Sequence, residues 1–250
     1  MENSIIFHPD KKLDDNPSNW NLYYRDIKFF TPDGQKLHGW FFPLSEESPV
    51  LLFCHGNAGN MSHRIENIKS LIKKNISVFI FSYRGYGQSS GKPSEKGIYT
   101  DGIAAYDYLT KSEMISSGNI VVFGRSLGGA VAIEIALKRK VRCLIAESTF
   151  TSIKDMSKTI FPFSIFSPFV PNHYNNSLKI ENVSAPKLVI HGRNDEIVPF
   201  DMGRKLYAQA KGAKIFLQVH GAGHNDTYIV GGEEYFEAIR KFILSIKEVT

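Results

Sequence analysis

A doubly wound α/β architecture, built on a mostly parallel sheet of about eight strands, is the fold class this 250-residue chain predicts. Two observations carry it. Eight short runs rich in β-branched and aromatic residues are bounded by Gly, Pro or polar clusters. From VLLFC onward these runs alternate with stretches of helical periodicity, and β-α-β-α repetition calls for a parallel sheet covered by helices on both faces.

The runs RDIKFF and KLHGWFF come first and flank Pro32-Asp33-Gly34, so they can pair as an antiparallel hairpin. VLLFC, ISVFIFS, NIVVFG, RCLIAE, KLVIHG and KIFLQVH follow as the parallel set. Helical periodicity covers about 62–74, 96–111, 127–139, 200–210 and 233–247. Residues 149–185 break the alternation, with Pro162, Pro168 and Pro171 interrupting any long helix. One domain over 1–250, with 149–185 as a short cap insertion after the sixth strand, is therefore expected. Phe161, Phe163, Ile165, Phe166 and Phe169 give the cap an apolar underside that seats it on the core, touches a substrate, or does both.

Hydrophobic residues make up 42% and charged residues 22%, the balance of a soluble globular protein, and no apolar run is long enough to span a bilayer. The start MENSIIFHPDKK lacks the pattern of a secretory signal, so a cytoplasmic location is expected. Cys54 and Cys143 sit inside apolar runs and read as reduced, buried residues, with no disulfide and no metal pair. The net charge of +5 invites an anionic partner, but the basic residues are scattered in short clusters without stacking aromatics. Nucleic acid is therefore not an expected partner, and weak peripheral attraction to a membrane surface stays open. The oligomeric state is not legible.

The pattern G-x-S-x-G occurs twice, at Ser89 in YRGYGQSSG and at Ser126 in VVFGRSLGGAVA. A nucleophile elbow needs a buried strand, a sharp turn and a helix starting at once, so that the helix N-terminus faces the developing negative charge. Ser126 has all three: NIVVFG is apolar, Gly124 and Gly128 leave room at the turn, and GAVAIEIALKRK reads as a strong amphipathic helix. After Ser89 comes KPSEKG, which delays any helix to about residue 96, so that loop is expected to lie near the sheet rim with Tyr83, Arg84 and Tyr86.

A serine hydroxyl needs a general base and a carboxylate to orient that base. Asp195 lies just beyond KLVIHG and His224 just beyond KIFLQVH, in the order Ser, acid, His and at strand carboxyl ends where reacting groups gather. His220 and His191 are the alternative bases, and Glu147, Glu196 and Asp226 the alternative acids. Oxyanion donors are expected from the Leu127 backbone N–H and from HGNAGN, through Asn57 or, as the alternative, Ala58. Ala58, Phe150, Phe161, Phe163, Phe166 and Tyr83 are the expected pocket residues.

The set FCHGNAGN, FSYRGYGQSSG, GRSLGG, HGRNDEIVP and GAGHND resembles the α/β-hydrolase superfamily over nearly the whole chain. It is similar to the small serine hydrolases that include abhydrolase-domain depalmitoylases and their bacterial and fungal relatives. The resemblance implies Ser126, Asp195 and His224 as a triad, with Asn57 and Leu127 at the oxyanion hole. Such relatives often carry a membrane anchor or lipidated N-terminus, whereas IIFHP comes here almost at once, so permanent membrane attachment is not expected. The implied activity is cleavage of carboxylic esters or thioesters of an acyl-chain or other small-molecule substrate, without metal or cofactor. An amidase or peptidase on the same triad, or a binding protein on this scaffold, are the alternatives.

Overall fold

A computed structural model describes residues 7–160 and 173–246. The eight strands are β1 (Arg25–Phe30), β2 (Lys36–Phe42), β3 (Val50–Cys54), β4 (Ser77–Ser82), β5 (Ile120–Arg125), β6 (Cys143–Glu147), β7 (Lys187–Gly192) and β8 (Lys214–Val219). They form one sheet in the order β1-β2-β4-β3-β5-β6-β7-β8. β1, β2 and β4 pair antiparallel and all later neighbours parallel. The hairpin turns where expected: Thr31 N–H donates to Gln35 O, and Gly34 takes φ 80°.

The described helices are α1 (Ile65–Ile72), α2 (Glu95–Lys111), α3 (Leu127–Lys138), α4 (Ile153–Ile160), α5 (Asn176–Glu181), α6 (Phe200–Gln209) and α7 (Thr227–Ser245). α4 and α5 lie in the segment between β6 and β7, which had been expected only as a cap. Alternate residues of the central strands face opposite layers. Leu52 and Val122 join the core under α2, α3 and α6, while Leu51, Phe53, Val121 and Phe123 join the one under α1 and α7. Both faces are buried, which is why these strands read as continuous apolar runs.

Two helices differ from expectation. α3 is buried from Leu127 through Ala136, so it is not amphipathic: β5 and β6 lie beneath it, and α2 and α5 flank it. α7 starts at Thr227, six residues before the expected 233, and Gly232 breaks it at φ 50° and ψ −137°. Its first turn thus follows directly on His224.

Candidate active site

Parallel pairing of β3 with β5 puts Cys54 opposite Gly124. The chain leaving β3 as His55-Gly56-Asn57 therefore runs beside the chain leaving β5 as Arg125-Ser126-Leu127. Contact is close: a Cβ on Gly128 would stand 2.0 Å from Cys54 O, so only glycine lets the start of α3 seat there. Ser126 caps α3 with φ 53° and ψ −119°, a conformation that costs an L-residue energy, and its N–H donates to Glu147 O at 2.9 Å.

The other two expected residues come from farther along the sheet. β8 lies three strand steps from β5, about 14 Å at ordinary strand spacing, so its loop has to fold back. Gly192 allows this, since a Cβ there would meet Ala222 O and Gly223 O at 2.6 Å. His224 then lies with Nε2 3.1 Å from Ser126 Oγ and Nδ1 2.9 Å from Asp195 Oδ2. A carboxylate only accepts, so Nδ1 carries the proton and Nε2 offers its lone pair to the serine.

Asp195 is further held by the backbone N–H groups of Ile197 and Val198, at 3.0 and 2.7 Å, and by His191 Nε2 at 3.3 Å. Burial pushes its carboxyl up, but the hydrogen bonds from His191 and His224 outweigh burial and hold it well below the usual carboxylate range. The alternative acids have other partners. Glu196 accepts from His224 N–H at 3.0 Å and Asp226 from Gly223 N–H at 2.7 Å, so both fix the loop that carries the imidazole. Of the alternative bases, His191 is buried on Val198 O, and His220 is exposed just beyond β8.

The loop after β3 is braced from three sides. His55 Nδ1 donates to Gly56 O at 2.7 Å, and burial drives its imidazole down to about 3, so it remains neutral. Because that carbonyl shares a trans peptide with Asn57 N–H, fixing one aims the other in the opposite direction. The Asn57 side chain accepts from Tyr86 OH at 2.8 Å and His8 N–H at 3.3 Å, and Arg64 donates to Ala58 O.

YRGYGQSSG is buried from Tyr83 to Gly87 and at Ser89, while Gln88, Ser90 and Gly91 are exposed. Arg84 ties it to Asp33 and Asp101, and Ser89 Oγ donates to Ser82 O at 2.7 Å while accepting from His38 N–H at 3.0 Å. Tyr83 is fully buried with its hydroxyl on His55 O, which corrects the expectation that it lines a pocket: it lies behind the loop after β3. Phe150 is likewise buried, packed edge-on to Tyr174 in the stem of the segment after β6. Ala58 is exposed. Phe161, Phe163 and Phe166 lie outside the described residues.

Asp10, Asp14 and His63 bring ligand-type atoms together at the surface. His63 already accepts from Asn60 N–H through Nδ1 and faces Asp14 through Nε2, and Lys12 pairs with Asp14. The group thus lashes the N-terminal strap to the turn before α1. Arg125 and His55 are both tied into the site, and neither stands out as a site residue in the sequence. Their only signal was a polar side chain at the end of an apolar strand.

Fold and site together define an α/β hydrolase scaffold. The chain belongs to the alpha/beta hydrolase fold family, whose model matches residues 49–174. It is 38% identical over 250 residues to the alpha/beta hydrolase domain-containing protein WAV2 of Arabidopsis thaliana, covering 91% of this chain and 80% of that one. It is 39% identical over 237 residues to protein bem46 of Schizosaccharomyces pombe, covering 91% and 79%. Among solved structures the esterase Pf2001 of Pyrococcus furiosus is similar in fold, with a TM-score of 0.78 at 24% identity over 95% of this chain and 98% of that one. No described helix is long and apolar enough to cross a membrane.

Proposed function

We propose that this protein is a serine hydrolase that cleaves carboxylic esters or thioesters through an acyl-enzyme on Ser126. The observation that carries the proposal is the relay Ser126 Oγ, His224 Nε2, His224 Nδ1, Asp195, with 3.1 and 2.9 Å steps at the head of α3. His224 takes the serine proton as Oγ attacks the carbonyl, then returns it to the leaving group. Asp195 keeps the tautomer and stabilises the imidazolium. The oxyanion develops against the N–H groups of Leu127 and Asn57, beside the positive end of α3. Water then repeats the attack with the same base, and the acid leaves. No cofactor takes part in these transfers.

An apolar acyl group is the proposed substrate moiety, supported by the aromatic composition of the segment after β6. The test is labelling by a fluorophosphonate probe together with hydrolysis of p-nitrophenyl esters of increasing chain length. Ser126→Ala should abolish labelling and lower kcat by about a millionfold. Wild-type protein that never labels would overturn the hydrolase reading, and a strong preference for acetyl over medium chains would overturn the apolar acyl group.

A further inference from the structure

Bonded to the backbone of Ser126 and His224 lies a buried pair of opposite charges that takes no direct part in acyl transfer. Arg125 is 3% exposed and Glu147 is fully buried, and the two stand opposite each other where β5 and β6 end. Arg125 Nε lies 3.3 Å from Glu147 Oε1. Thr227 and Tyr235 of α7 donate their hydroxyls to the same carboxylate, one to each oxygen. The other end of the guanidinium donates through Nη2 to the His224 carbonyl and reaches Asn225 Oδ1 at 3.5 Å. One side chain thus joins the strand that carries the serine to the backbone of the base.

Stability is a weak reason to keep such a pair, because buried ion pairs can often be replaced by apolar side chains without loss. Geometry offers a stronger one. His224 leaves the sheet three strand steps from β5, yet its ring has to meet Ser126 within hydrogen-bond reach.

We infer that Arg125 and Glu147 form a clamp that positions His224 over Ser126 and balances the charge its imidazole meets. The inference rests on the reading of these two residues as base and nucleophile. Around the ring, Asp195 faces Nδ1, Glu196 accepts from the His224 N–H, and Asp226 holds the loop. Arg64, of the turn before α1, adds a second positive charge near Arg125. With Glu147 ionised the Arg125 charge is balanced. With a neutral residue there it is not, and the imidazolium forms less readily.

Two variants separate these roles. Glu147→Gln keeps an oxygen for Arg125 and Thr227 and an amide for Tyr235, but removes the charge. Arg125→Lys keeps a charge and loses the fork that spans Glu147 and the His224 carbonyl. In Glu147→Gln the His224 imidazole titration, read by NMR, should move down by about one pH unit, and the acid limb of p-nitrophenyl butyrate hydrolysis should move with it. In Arg125→Lys, kcat and the rate of fluorophosphonate labelling should fall about tenfold to a hundredfold with KM unchanged, and the titration should stay in place. The clamp is overturned if folded Glu147→Gln titrates like wild type, or if Arg125→Lys labels and turns over at the wild-type rate. Wild-type protein inert to both reagents, with a His224 titration that still moves in Glu147→Gln, would refute the hydrolase reading and keep the clamp.

Discussion

His224 Nε2 stands 3.1 Å from Ser126 Oγ although three strand steps separate β8, which His224 follows, from β5, which Ser126 follows. The chain closes that gap by folding the loop after β8 over Gly192, and Glu196, Asp226 and Arg125 then hold it at separate points.

Asp195→Asn tests the tautomer argument. Asparagine presents an N–H where His224 Nδ1 now donates, so the ring has to turn or place its proton on Nε2. A fall in kcat of about ten-thousandfold with little change in KM is expected for ester hydrolysis. A loss below tenfold would mean that Asp195 does not orient the base.

Ser89→Ala tests the distinction between the two G-x-S-x-G serines. The Ser89 hydroxyl is buried between Ser82 O and His38 N–H, and its removal leaves both groups without that partner. The variant should label at the wild-type rate and lose about 1–3 kcal/mol of stability, lowering Tm by several degrees in a thermal melt. Loss of labelling with unchanged Tm would reverse the assignment.

His55 gives the fold a pH dependence of definite sign. The unfolded chain protonates this imidazole near 6.5, whereas burial lowers it to about 3 in the folded state. Stability from His55 is complete above pH 6.5 and is lost as pH falls toward 3, by at most about 1.4 kcal/mol per unit. Asp195, held low, acts in the same direction only below about pH 4. Relative to wild type, His55→Asn should therefore lose less of its urea midpoint between pH 6 and 4.5, and a difference between the two proteins that stays constant over that range would contradict the buried neutral ring.

Strand positions were legible because alternation and turn residues are local. Every predicted strand forms, within a residue or two of the expected ends. The start of α7 was not legible: Gly231 and Gly232 point to a later helix, and the Thr227 hydroxyl that anchors the first turn has its partner on β6. Nor was the burial of α3, which depends on what surrounds it. Sequence alone does not distinguish Tyr83 and Phe150 from pocket residues, because an aromatic at a strand end carries no mark of which side of a loop it will occupy.

The sequence by itself determined the strand order along the chain, five of the seven described helices, the family resemblance, and the preference for Ser126 over Ser89, since a helix start is written in neighbouring residues. Only the tertiary structure decided what the Ser89 hydroxyl bonds to, how His55 braces the loop after β3, and that Arg125 reaches the base. The His38–Ser89 and Arg125–His224 bonds join residues 51 and 99 positions apart, and no local pattern encodes which distant groups sheet pairing will bring within 3 Å.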